Sequence, residues 1–230
     1  MNVKLISLTK SLVDKKEMTA EELIVYIARV SNPDNQLNLG TADKLLGYLI
    51  NNKHWSPFDM CNMIVEVTTS KAIAIQILRH WSIKPQEFSQ RYAEVTDIEP
   101  VSLRKAAVKN RQSSEEEFNP HIKMSTGISI EDKELYTEGT SSEVIDWFFN
   151  LSKRLYKELL QKDIAKECAR MVLPMATSTT MYLNGSVRSW IHYLQQRTDQ
   201  HAQLEHRQVA LLIQDIFKQH FPNISKALEL

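Results

Sequence analysis

Apolar and polar positions along the chain follow two periods. From Val3 to Leu8 they alternate, the period of a strand. Thr19 with Glu22 three residues on forms a capping box, which opens a helix through Arg29. Leu45, Leu46, Tyr48, Leu49 and Ile50 make the apolar side of a second helix, ending near Asn51 and Asn52. Met63, Val65 and Val67 alternate again and predict a strand. Lys71 to His80 reads as a buried helix carrying Ala72, Ile73, Ile75, Ile77 and Leu78. Thr140 and Glu143 form another capping box, and an amphipathic helix runs from there to about Gln161. Asp163 is expected to cap the next helix, which must stop before Pro174. The Thr-rich run Met175 to Leu183 suits a strand. Ser186 to Gln196 and Gln200 to His220 read as the last two long helices.

Residues 97 to 140 are harder to read. Glu115 to Glu117 and the Ser, Thr and Gly content predict a charged, exposed insert with some mobility and no domain of its own. The chain holds no internal repeat. Helices ordered around a few strands give an α+β, or mixed α/β, fold in a single domain spanning 1–230.

Composition narrows the class. At 230 residues the chain is ample for a buried core, and 43% hydrophobic with 24% charged residues is the balance of a soluble globular protein. Lys plus Arg equals Asp plus Glu at 28 each, which argues against a protein built to grip a nucleic-acid backbone. A local basic pocket for a phosphate remains compatible with it. No stretch approaches the roughly 18 apolar residues of a membrane span, and no signal peptide is expected. Two cysteines, Cys61 and Cys168, make no disulfide framework and fit a reducing, cytoplasmic setting. Neither has a base nearby in sequence, so both read as core thiols. With five glycines and no Gly-rich phosphate loop, any nucleotide must be held by side chains and helix ends.

The chemistry gathers in three patches. In Arg79-His80-Trp81-Ser82-Ile83-Lys84-Pro85-Gln86-Glu87-Phe88-Ser89-Gln90-Arg91-Tyr92 an apolar helix gives way to dense polarity, and Pro85 opposes its continuation. Two arginines around a serine suit a phosphate, because a guanidinium fork grips two oxygens and a hydroxyl a third. Gln76, one turn before Arg79, offers an amide to a base edge or a ribose hydroxyl. Composition alone leaves this stretch between an anion site and a solvated loop whose charges pair with each other. Near the C-terminus lie Arg188, His192, Arg197, His201, Glu205 and His206, with Trp190 and Tyr193 interleaved. The spacing of His201 and Glu205 invites a metal reading, but no third ligand is placed, so no metal is expected. Arg197 falls where the helical pattern breaks, free to enter a cavity. The third patch, His54-Trp55-Ser56-Pro57-Phe58-Asp59, is either a packed turn or a cover for a flat cofactor.

Together these patches resemble the flavin-dependent thymidylate synthase family. Its signature RHRxxSxNExSxRY stands against RHWSIKPQEFSQRY here, with Arg79, His80, Glu87, Ser89, Arg91 and Tyr92 matching and Trp81, Lys84 and Gln86 departing. His54 to Phe58 resembles the family's H-x-[ST]-P-F turn. Glu167 to Pro174 resembles its E-x-A-R-x-x-L-P segment. Arg188-Ser189 and Gln196 to Gln203 resemble its R-S and L-R-x-D-x-H-A-Q elements. The resemblance implies a small, mainly antiparallel sheet flanked by long helices. It implies methylation of dUMP to dTMP, with 5,10-methylenetetrahydrofolate as carbon donor, FAD as cofactor and NADPH as reductant. It also implies a homotetramer with shared active sites, and no nucleic-acid or membrane partner. Gln76, Arg79, Glu87, Ser89, Gln90, Arg91, Arg170 and Arg197 are then expected around dUMP, with Arg197 the catalytic cation beside the uracil. Ser56, Arg79, His80, Trp81, Glu87, Arg188 and His192 are expected around FAD, and His54 at the folate or flavin. The alternative is a non-catalytic nucleotide-binding protein of the same fold, and a metal-dependent hydrolase using His201, Glu205 and His206 is the third reading.

Overall fold

The computed structural model describes residues 1–13, 17–95, 97–109, 114–131 and 133–230. The chain forms two compact units, one of residues 1–69, 73–87 and 180–230 and one of residues 70–72 and 88–179.

The first unit is built on a four-stranded sheet in the order β1-β2-β8-β3. β1 is Asn2–Leu8, β2 Asn62–Ser70, β3 Lys84–Glu87 and β8 Ser178–Ser186; the ends of β2 and β8 at residues 70, 178 and 179 count to the other unit. β1 pairs antiparallel with β2, Val3 facing Val67 and Leu5 facing Val65. β3 pairs antiparallel with β8, from Lys84 facing Asn184 to Glu87 facing Met181. The alternation seen in the sequence is the alternation of burial, with Met63, Val65 and Val67 fully buried and Ile64 and Glu66 turned outward.

Around the sheet stand α1 (Ala20–Ala28), α2 (Ala42–Asn51), α3 (Lys71–Ile77), α6 (Val187–Arg197), α7 (Leu204–His220) and α8 (Pro222–Ala227). α1 starts where the capping box puts it: Glu22 N donates to Thr19 Oγ1 at 3.2 Å, and the Glu22 carboxylate accepts from Thr19 N at 2.8 Å. One contiguous core holds Phe58, Trp190, Tyr193, Phe217 and Phe221, all with no exposed surface. Burying each such ring is worth about 1.5–3 kcal/mol. α8 follows the expected helix end at His220 and is not expected from the periodicity. Pro222 at its first turn ends one helix and starts the other, since its missing N–H is tolerated only there.

The second unit carries α4 (Ser141–Gln161), α5 (Lys166–Ala169) and two hairpins, β4 (Arg104–Ala106) with β5 (Ser114–Glu117) and β6 (His121–Ile130) with β7 (Lys133–Thr140). The stretch 97 to 140 is thus largely exposed, as its composition implies, but much of it is regular strand; residues 110–113 and 132 lie outside the described residues. α4 opens with the expected Thr140–Glu143 box.

Four expectations shift. α3 stops at Ile77 rather than His80, because buried Ile83 pulls the chain back through successive tight turns, His80 N to Ile77 O and Ile83 N to His80 O. Asp163 does not cap the next helix. It sits at φ 58 just past α4, and the bonds Asp163 N to Leu160 O and Ile164 N to Leu159 O close a Schellman end, so α5 begins after Ala165 with no side-chain cap. β8 begins at Ser178, since Thr177 N and Oγ1 both donate to Pro174 O and hold residues 174–177 in a turn. Cys168 is exposed, whereas Cys61 is buried as expected, its thiol pushed up to about 11 by desolvation. Among the described residues, no helix is long and apolar enough to cross a membrane.

Candidate functional site

α6 is the central element of the first unit's site. Ser186 caps it, accepting from Ser189 N at 3.2 Å. Val187, Trp190, Ile191 and Leu194 recur on one buried face and fix the helix against the sheet. That rotation turns Arg188 and His192, four residues apart, outward together.

Both line a cleft of about 680 Å³, with Trp81, Ser82 and Lys84 on one side and Asp59, Asn62 and Asn184 to Ser186 on another. Trp81 is 84% exposed, its indole uncovered. Lys84 Nζ donates to the Trp81 carbonyl at 2.9 Å and ties two of the three departures from the family signature together. Arg188 Nη1 lies 3.0 Å from Asp59 Oδ2, while Asp59 Oδ1 accepts from Ser186 Oγ at 2.8 Å. Asp59, the last residue of the third patch and given no role of its own there, thus aims Arg188 and braces the start of α6. Gly185 forms part of the wall. A Cβ there would sit 3.1 Å from Trp190 Nε1, which donates to Met63 O at 2.9 Å.

Arg197, in the last turn of α6, turns toward the end of α3. Its Nε donates to His80 Nε2 at 2.8 Å across 117 residues of sequence. His80 is only 8% exposed and stacks edge-on against Tyr193, ring centres 4.9 Å apart. Burial first, then the charge of Arg197 and the proximity of His192, push the His80 ring down to about 4. The ring is therefore neutral near pH 7 and acts as an acceptor, which leaves the Arg197 guanidinium cationic and held from behind.

Beneath this pair, fully buried His206 sits between Tyr193 Oη at 3.1 Å and Gln76 Oε1 at 3.2 Å, and burial pushes it down to about 3. Its place in the molecule is a core hydrogen-bond junction. His201 precedes α7, so the helical spacing with Glu205 does not arise; its Nδ1 pairs with Asp199 at 2.7 Å.

In the second unit, Arg91 Nη2 and Nε both reach Glu167 Oε2, at 2.9 and 3.0 Å. Arg170 Nε donates to Glu167 O at 3.4 Å. Glu167, quoted in the motif but given no role, gathers two arginines. Gln90 is 8% exposed, and its Nε2 is a buried donor with no hydrogen-bond partner, the condition of a group made for a ligand or a water. Ser89 is exposed beside it.

The structure therefore brings Trp81, Arg188 and His192 to one cleft, and joins His80 to Arg197 and Gln76 to His206. Arg79, Glu87 and Ser56 do not line that cleft, and Arg79 and Ser56 are exposed. His54 lies on the turn before the short 3₁₀ segment Ser56–Asp59, its ring against Tyr48 at 6.0 Å. The contacts of His206 with Gln76 and of Asp59 with Arg188 had no local signal, since the partners are more than 120 residues apart.

Comparison with known proteins agrees with the motifs. The family described as Thymidylate synthase complementing protein matches residues 11–223. The chain is 45% identical over 230 residues to a probable flavin-dependent thymidylate synthase of Paramecium bursaria Chlorella virus 1, covering 100% of this chain and 99% of that one. It is 45% identical over 231 residues to the flavin-dependent thymidylate synthase of Synechocystis sp., covering both in full at 100%. In fold it is similar to a UMP/dUMP methylase from Streptomyces cacaoi solved with 5-Br dUMP, at TM-score 0.75 and 22% identity, covering 99% of this chain and 94% of that one.

Proposed function

The chain belongs to the thymidylate synthase complementing protein family, and we propose that it is a flavin-dependent thymidylate synthase that methylates dUMP to dTMP. The observation that carries this reading is the meeting of Arg197 with His80 beside a cleft faced by Trp81, Arg188 and His192. Three family motifs far apart in the chain contribute to it.

The cleft suits FAD. It pairs an exposed flat indole with cationic and hydroxyl donors, the chemistry needed for an aromatic ring system carrying phosphates. Trp81, Arg188 and His192 are its holding residues, with Ser56, Arg79 and Glu87 on the same unit. His80 stands among them with its ring committed to Arg197. When bound, the flavin supplies hydride, replenished by NADPH; 5,10-methylenetetrahydrofolate supplies the carbon, and His54 is assigned to ordering folate or flavin by its family motif. Two of the three departures from the signature, Trp81 and Lys84, keep a place at the cleft, which favours the enzyme over a non-catalytic binder.

For dUMP, the first unit offers Gln76, Arg79, Glu87 and Arg197. Arg197 is the catalytic residue: a fixed guanidinium against the uracil lowers the cost of negative charge at N3 and so makes C5 more nucleophilic. The second unit offers Ser89, Arg91 and Arg170 for the phosphate, with Gln90 beside them. The working form is a homotetramer with shared active sites in the cytoplasm.

The test is direct. Purified protein should be yellow with flavin absorbance, and should form dTMP from dUMP, methylenetetrahydrofolate and NADPH. A tetramer that neither retains FAD nor takes it up when added overturns the proposal.

A further inference from the structure

Behind Gln76 runs a chain of polar side chains whose direction is set from one end. Gln203 Nε2 donates to Glu205 Oε2 at 2.9 Å, and Gln76 Nε2 donates to Gln203 Oε1 at 2.6 Å. Gln76 Oε1 then faces His206 Nδ1 at 3.2 Å, and His206 Nε2 faces the Tyr193 hydroxyl at 3.1 Å. A carboxylate only accepts, so Gln203 turns its NH₂ to Glu205 and its carbonyl to Gln76. Gln76 must therefore turn its own NH₂ to Gln203 and its carbonyl inward. His206 Nδ1 must carry the proton and Nε2 the lone pair, which takes the Tyr193 O–H.

An amide is ordinarily free to turn over, swapping donor for acceptor. Here a turn of Gln76 would set carbonyl against carbonyl at Gln203 and would oblige His206 to change tautomer, with Tyr193 accepting instead of donating. Gln203 is exposed, but His206 and Tyr193 have no exposed surface, so no water replaces a partner lost at the inner end of the chain. The Glu205 end sets the order, and the His206 ring carries it inward to Tyr193. Gln76 keeps one N–H and one carbonyl lone pair uncommitted.

We propose that His206 is a positioning residue for the nucleotide: its Nδ1–H holds the carbonyl of Gln76, so that the amide's open N–H and lone pair meet dUMP in the order set at Glu205. This rests on the reading of Gln76 as a nucleotide contact. His206 touches no ligand itself and acts only through Gln76.

The experiment measures dUMP affinity of the FAD-loaded protein by calorimetry, with retained flavin as the check of folding. Asparagine places an N–H where His206 Nδ1 lies, and glutamine places its amide where Nε2 lies. His206→Gln is therefore expected to weaken dUMP about tenfold, while His206→Asn stays within about threefold of the parent. In a Gln76→Ala background, His206→Gln is expected to add nothing further, since the two act in series. The loss should appear in KM for dUMP more than in kcat. Tyr193→Phe reads the same chain from its far end, with about threefold weakening in the parent and none in the Gln76→Ala background. Equal losses in His206→Asn and His206→Gln, or losses that persist undiminished without Gln76, overturn the inference and assign His206 to the core alone. Normal affinity in Gln76→Ala overturns it by removing Gln76 from the nucleotide. Absence of dUMP binding in the parent protein overturns the proposed function itself.

Discussion

Arg197 Nε donates to His80 Nε2 at 2.8 Å, so a buried neutral imidazole holds the back of the one arginine assigned to chemistry. A cation fixed in this way need not reorganise as charge develops on the base, which is where electrostatic catalysis gains most. Arg197→Ala is expected to retain FAD, because the residue does not line the cleft, and to lose dTMP formation by about 10²–10³-fold. His80→Leu should cost about tenfold by freeing the guanidinium, whereas His80→Gln keeps an acceptor and most of the rate. Single-turnover rates with saturating dUMP separate these; near-normal turnover in Arg197→Ala would remove it from the mechanism.

Acid sensitivity follows from the same ring. Above about pH 6.5 His80 is neutral in both the folded and the unfolded chain. Between there and about 4, the unfolded chain binds a proton that the folded chain refuses. Stability therefore falls as pH falls through this window, by about 3 kcal/mol at its foot. His206, pushed down to about 3 and facing Tyr193, Gln76, His80 and Arg197, adds in the same direction. Urea unfolding at pH 7, 5.5 and 4.5 should show a flatter profile for His80→Gln than for the parent, and identical slopes would count against the neutral ring.

Arg91 and Glu167 form an exposed pair, with side chains 68% and 52% exposed. Such a pair adds at most about 1 kcal/mol to stability. Its value is in aiming the guanidinium. Glu167→Gln should hardly move the melting temperature yet weaken dUMP binding, and Arg91→Ala should weaken it by at least about tenfold. Deoxyuridine, lacking the phosphate, should bind both variants as it binds the parent. A parallel loss for deoxyuridine would move Arg91 away from the phosphate.

Trp81 stands 84% exposed at the cleft. If flavin stacks there, Trp81→Ala should lower FAD affinity about tenfold, and FAD titrated into the apoprotein should quench tryptophan fluorescence in the parent more than in the variant. Equal quenching in both would place the flavin elsewhere.

What the sequence determined by itself is local. Thr19–Glu22 and Thr140–Glu143 satisfy their own helix starts within one turn, so their positions needed no knowledge of the rest. The alternation of Met63, Val65 and Val67 and the buried face of α6 are likewise set by period. The ordered motifs single out Arg197 and Arg188 as matches and Trp81 as a departure by position along the chain alone. Tertiary structure decided what depends on distant partners. α3 ends at Ile77 because Ile83 is drawn into the core, a demand that three residues of apolar pattern do not reveal. Asp163 closes a helix by taking φ 58 rather than opening one, a choice between two uses of the same residue. His206, Asp59 and Glu167 carry no local mark of what they do. Their roles arise only when folding sets them against Gln76, Arg188 and Arg91, because a hydrogen bond needs its partner within about 3 Å and sequence spacing does not encode that approach.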